Sequence, residues 1–101
     1  LMPQIATAPQ RFNPGDHVRV RREAPAGHVR TPAYIMDKTG AILRVQGAFR
    51  NPESIAYGGD GLPAMPLYLV RFNQGEIWDS YSGPQNDTLS MDLFDHWLEP
   101  A

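Results

Sequence analysis

A chain of 101 residues, 42% hydrophobic and 20% charged, has the size of one globular domain. Nine Lys and Arg against eleven Asp and Glu leave a formal charge of -2, so no basic surplus is available for a phosphate backbone and nucleic acid is not an expected partner. No apolar run approaches the roughly 20 residues of a membrane span and no leader pattern opens the chain, so a membrane-free, cytoplasmic protein is expected.

Residues 1–11, LMPQIATAPQR, carry two prolines and no alternation, and read as an extended arm ahead of a domain over 12–101. Leu1, Met2 and Ile5 give the arm apolar weight that suits contact with a neighbouring chain, with a disordered tail as the equally open alternative. Pro14, Gly15 and Asp16 then make a turn, and Val18 and Val20 alternate with Arg19 and Arg21 as a half-buried strand. The proline-bearing stretch that follows, through Tyr34, reads as a loop, and a second strand takes Ile42, Leu43 and Val45 after a turn at Gly40. Residues 47–66 read as one long connection. PLYLVRF, residues 66–72, is the clearest strand, and the reading continues it through a tight turn at Gly75 into a return strand beginning Glu76-Ile77-Trp78. Leu89, Met91 and Leu93 alternate with Ser90 and Asp92 in a further strand, followed by a short helical turn over Asp95 and His96 and a last strand at 97–99. Ten prolines and nine glycines exclude a helical bundle. Five or six short antiparallel strands with one helical turn point to an all-β domain, an SH3-like barrel, whose closure removes exposed sheet edges.

Without cysteine the chain has no disulfide, thiolate nucleophile or sulfur-held metal, and His17, His28 and His96 lack ligand partners at suitable spacing, so no metal site of its own is expected. Ser, His and Asp occur without a nucleophile elbow, which argues against a hydrolase triad. Asp87, Asp92, Asp95 and Glu99 follow no calcium-loop pattern and read as a solvated face. Phe72, Trp78, Tyr81 and Trp97 are expected chiefly as core filling, with an aromatic ligand groove as the other use. Chemistry concentrates in the loop Gly27-His28-Val29-Arg30-Thr31-Pro32-Ala33-Tyr34. Pro32 stiffens the segment, and Arg30 offers a planar fork able to hold an oxyanion at two points; a solvated surface arginine is the plain alternative. A loop histidine bonded to backbone is the plain reading of His28.

Taken in order, GDHVRVR at 15–21, GHVRTPAY at 27–34, PLYLVRF at 66–72, the Glu76-Ile-Trp78 step and the Asp92-Leu-Phe to Leu98-Glu-Pro-Ala101 ending resemble the C-terminal barrel of the nitrile hydratase beta subunit. Thiocyanate hydrolase small subunits share this frame. The resemblance implies hydration of a nitrile to an amide at a cobalt(III) or iron(III) centre in a separate alpha-type subunit, whose cysteine ligands include oxidised ones. Arg30 matches the family arginine that hydrogen-bonds those oxidised sulfurs from the neighbouring subunit, which places His28 and Tyr34 at a partner interface. The chain is then a subunit of an enzyme, a lyase, inactive by itself. The helical N-terminal half of a complete beta subunit is not in this sequence, so the groups it carries would come from another chain, as in split-beta nitrile hydratases of the toyocamycin type, or be absent. Met36 and Asp37 stand where relatives often have a basic residue and glycine. A nitrile hydratase activator chaperone, a thiocyanate hydrolase subunit and an SH3-like peptide-binding module, the last requiring an exposed groove at Trp78 and Tyr81, are the alternatives.

Overall fold

The computed structural model describes residues 6–22, 33–78, 83 and 87–101. Strands β1 (His17–Val20), β2 (Thr39–Phe49), β3 (Met65–Asn73), β4 (Thr88–Phe94) and β5 (Leu98–Pro100) form one antiparallel sheet in the order β4-β3-β2-β1-β5. Two short helices, α1 (Pro52–Ala56) and α2 (Gln74–Ile77), and two 3-10 turns, Ala33–Ile35 and Asp95–Trp97, complete it.

Alternation decides which face each strand buries. Val18 and Val20 of β1 point inward beside exposed His17 and Arg19, and β3 buries Pro66, Tyr68, Val70 and Phe72 in succession. The edge strands β4 and β5 are separated in sequence only by the turn at Asp95–Trp97. From Phe94 to Leu98 the chain spans at most about 14 Å. Four interstrand gaps of a flat sheet would need about 19 Å. The sheet must therefore roll until its edges approach, which makes it a small barrel, and two register shifts in β2, between Ile42 and Arg44 and between Val45 and Gly47, supply bends. Its interior is filled by Val18, Val20, Ile35, Ile42, Tyr68, Val70, Phe72, Leu93 and Leu98, all at 2% exposure or less. Phe72 thus belongs to the core as expected, and Trp97 packs partly buried against it. Gly40 sits where a Cβ would meet Arg71 O at 2.8 Å and the Val70 and Phe72 side chains at 2.9 Å, so only hydrogen fits between β2 and β3 there.

The return strand expected at Glu76 is corrected: residues 74–77 are helix α2, and β3 pairs instead with β4, Asn73 opposite Thr88. The Asn73 side chain accepts from Gly75 N at 2.9 Å and starts a helical turn that brings Ile77 into the core at 5% exposure. The long connection is likewise shorter than expected. β2 continues to Phe49, and Asn51, accepting from Glu53 N at 3.0 Å, caps α1 with Pro52 at its first turn.

Asp95 is a further correction, since it is buried at 3% exposure and not part of a solvated face. Its carboxylate accepts from Arg11 Nε at 2.7 Å and from the Tyr68 hydroxyl at 2.6 Å, and Arg11 Nη2 also donates to the carbonyls of Asp95 and Leu98, each at 2.7 Å. Burial first, and then the bond to the Asp95 carboxylate, push the Tyr68 hydroxyl up to about 12 from 10. Arg11 in this way fastens the arm to the barrel, and Thr7 pairs in parallel with Ala64. The described part of the arm lies on its own domain; Leu1, Met2 and Ile5 fall outside the described residues.

Candidate functional site

Arg30 and His28 lie in residues 23–32, outside the described residues, while both ends of that segment are described. Val20 N donates to Lys38 O at 2.9 Å and Asp37 N to Val20 O at 2.8 Å, closing the neck from which the segment leaves and to which it returns. Arg21 N is bonded to Trp97 O at 2.8 Å, which fixes the outgoing side. On the returning side Ile35 is wholly buried, and Asp37 takes φ 67, a left-handed conformation that glycine adopts most easily and Asp tolerates.

The turn that buries Ile35 directs its neighbour Tyr34 outward, at 42% exposure. Tyr34 stacks on Trp78, with centroids 5.2 Å apart and planes at 28°. Trp78 is also 42% exposed, which corrects its expected place in the core. It leaves α2 just beyond buried Ile77, and its indole N–H donates to Gln74 Oε1 at 2.7 Å while its backbone N–H reaches Gln74 O at 3.2 Å. Gln74 N in turn donates to Asp87 O at 2.9 Å, at the entrance to β4. The four-residue spacing of Gln74 and Trp78 was the available sequence signal for this brace, and it becomes meaningful only once 74–77 is helical. Tyr81 lies outside the described residues.

The structure therefore brings Tyr34 and Trp78, far apart in sequence, into one half-exposed aromatic pair at the root of the segment that carries Arg30. Large rings left half in solvent and held in a fixed plane are suited to packing against another surface. Among the described residues no group of three or more His, Cys, Asp or Glu could hold a metal ion, and the sequence has no cysteine. The donors among the described residues do not fit a metal centre. His96 lies beside Glu53, its Nε2 3.3 Å from Glu53 Oε1 without hydrogen-bond alignment, and the Trp97 indole donates to that same carboxylate.

Comparison with known proteins converges on one family. The family described as nitrile hydratase beta subunit, C-terminal, matches residues 3–100. The chain is 37% identical over 90 residues to nitrile hydratase subunit beta of Pseudomonas putida, covering 89% of this chain and 41% of that protein. It is 37% identical to the cobalt-containing nitrile hydratase subunit beta of Pseudonocardia thermophila, with 88% and 36% covered. Thiocyanate hydrolase subunit alpha of Thiobacillus thioparus is 32% identical, with 90% and 72% covered. A solved structure of the Thiobacillus thioparus thiocyanate hydrolase, the recombinant apo-enzyme, superposes with a TM-score of 0.86 at 30% identity, covering 94% of this chain and 79% of that one. The chain thus spans about two fifths of the nitrile hydratase beta subunits it matches.

Proposed function

This chain belongs to the family formed by the C-terminal part of the nitrile hydratase beta subunit, and from that premise we propose that it is the barrel part of a heteromeric, cytoplasmic nitrile hydratase, inactive alone and paired with an alpha-type subunit. The family match over residues 3–100 carries the reading. In this reading residues 12–101 form the barrel domain and 1–11 its arm. The cobalt or iron is then held by the alpha-type subunit, this sequence having no cysteine to offer it.

In this reading Arg30 reaches across the interface to oxidised cysteine oxygens of that subunit. A guanidinium cannot lose its charge at working pH, and its fork binds two oxygens at once, holding the metal's ligands in one geometry. His28 and Tyr34 belong to the same interface, and the exposed Tyr34–Trp78 pair supports it by offering an apolar contact beside the arginine's segment. The same exposure of Trp78 meets one requirement of a peptide-binding groove; family membership favours an enzyme partner instead.

A second reading, a thiocyanate hydrolase subunit, is favoured by the 72% coverage of that enzyme's subunit alpha against 41% or less for the two nitrile hydratase subunits above. Co-expression with the neighbouring reading frames, followed by metal analysis and assays for amide formation and thiocyanate consumption, separates the two. Amide release by a stable complex is the expected outcome; thiocyanate turnover selects the second reading, and a partner that departs after metal loading indicates an activator. Within an active complex, Arg30→Lys should lower kcat at least tenfold, because an ammonium retains charge without the two-point clamp. An unchanged kcat excludes the role assigned to Arg30.

A further inference from the structure

We propose that the apolar surface at Phe49, Ile55 and Tyr57 is a docking site for the part of a beta-type subunit that precedes this domain in its relatives. The proposal rests on the reading of this chain as the barrel part of such a subunit. Helix α1 reverses the usual arrangement of a surface helix, in which the apolar side faces the core. None of its residues is buried, so it adds nothing to the core. Its polar side chains are the ones bonded to its own domain. Glu53, whose side chain is 14% exposed, accepts from the Trp97 indole, and the Ser54 hydroxyl accepts from Gly61 N at 3.3 Å. Ile55 is half exposed, and Tyr57, just past the helix, is more so. Phe49, at the end of β2, is also half exposed. The segment returning to β3 joins these residues: Phe49 pairs with Met65, Asn51 N donates to Gly61 O at 2.7 Å, and a Cβ on Gly61 would lie 3.0 Å from the Ile55 side chain. A helix fixed by its polar groups while large apolar groups stay in water marks a surface that another one completes.

Size and position select the occupant. Three side chains about half exposed offer on the order of 300 Å², well short of the roughly 800 Å² per partner of an independent stable complex. The surface therefore suits a partner that other contacts already hold nearby, at a high local concentration. The arm leads to one. Ala64 N donates to Ala6 O at 2.7 Å and Ala8 N to Ala64 O at 2.8 Å. Because Thr7 and Ala64 pair in parallel, the upstream end of the arm points back along Pro63 and Leu62 toward Gly61, beside Ile55. The matched region is the C-terminal part of nitrile hydratase beta subunits and 41% or less of the two compared above, so most of each of those chains lies ahead of it.

The test places the photocrosslinker p-benzoylphenylalanine at Phe49 in the complex assembled by co-expression and maps the adducts by mass spectrometry. Adducts are expected in the sequence that aligns with beta subunits ahead of the matched region, whichever polypeptide of the complex carries it. Ile55→Asp should lower their yield at least tenfold and Ile55→Leu should retain it. Leu43→Asp, at an exposed position on the first register shift of β2, should leave it unchanged. Adducts to the alpha-type subunit or to a second copy of this chain overturn the assignment while leaving the proposed function intact. So does an assembled complex without adducts, or an unchanged yield in Ile55→Asp. If no complex assembles, the underlying reading falls and this inference with it. Should Ile55→Asp fail to fold, the crosslink at Phe49, which leaves Ile55 in place, decides the question.

Discussion

Around Asp95 a charge has been taken out of water and surrounded by donors from distant parts of the chain, whereas at Tyr34 and Trp78 two large rings remain half in solvent with one hydrogen bond between the indole and its own helix. The first arrangement is closed. Arg11, Tyr68 and Asp95 meet one another's hydrogen-bonding needs, and breaking the set leaves a buried group unsatisfied. The second is open, because its faces are ordered without being covered. Burial with complete pairing marks a region whose task is to hold the barrel and its arm together. Ordered exposure marks one whose contacts are completed by something else.

That contrast is sharpest in stability measurements on the isolated domain. Asp95→Ala should be the most damaging change, lowering unfolding free energy by about 3 kcal/mol, at the lower end for a broken buried pair because Arg11 keeps some contact with water. Urea titration reads this directly, and a loss below that of a surface substitution would show the cluster to be incidental.

Tyr68→Phe should cost about 1 kcal/mol at neutral pH by removing the hydroxyl donated to Asp95. Its pH dependence has a definite sign. The Tyr68 hydroxyl is pushed up to about 12 by burial and by the Asp95 carboxylate, so the folded state disfavours the tyrosinate. The associated stability is fully present below pH 10 and is lost as pH rises toward 12. Wild-type protein should therefore lose more stability across that interval than Tyr68→Phe, and parallel curves would contradict the assignment.

At the open region Trp78→Ala should change the stability of the isolated domain least, by about 1 kcal/mol or under, since it removes a half-exposed stack and no core contact. A loss comparable to that of Asp95→Ala would make the aromatic pair part of the scaffold and erase the distinction between the two regions.

Strands β1, β3 and β4 are legible from residues alone, because Val18 and Val20, Tyr68 through Phe72, and Leu89 through Leu93 alternate with the period of a pleated chain. The turn at Asp95–Trp97 and the short final strand are legible as well. The stretch at 74–78 misleads because Glu76-Ile77-Trp78 is too short for its period to be measured, and an Asn73 cap tips it into a helix that carries Ile77 inward. Asp95 misleads in another way. An acidic residue beside a turn is normally solvated, and only a partner 84 residues away, Arg11, makes its burial tolerable. For the candidate site, the sequence singled out Arg30, His28 and Tyr34, while Trp78 came out as core filling.

Composition and alternation by themselves determined an all-β barrel, because periodicity and turn chemistry are local properties of the chain, and the ordered motifs carried the resemblance to the family. Only the tertiary structure decided which acid is buried, where the arm is fastened and that Tyr34 meets Trp78. Those are long-range pairings, and whether a side chain is covered or exposed depends on what the rest of the chain brings beside it.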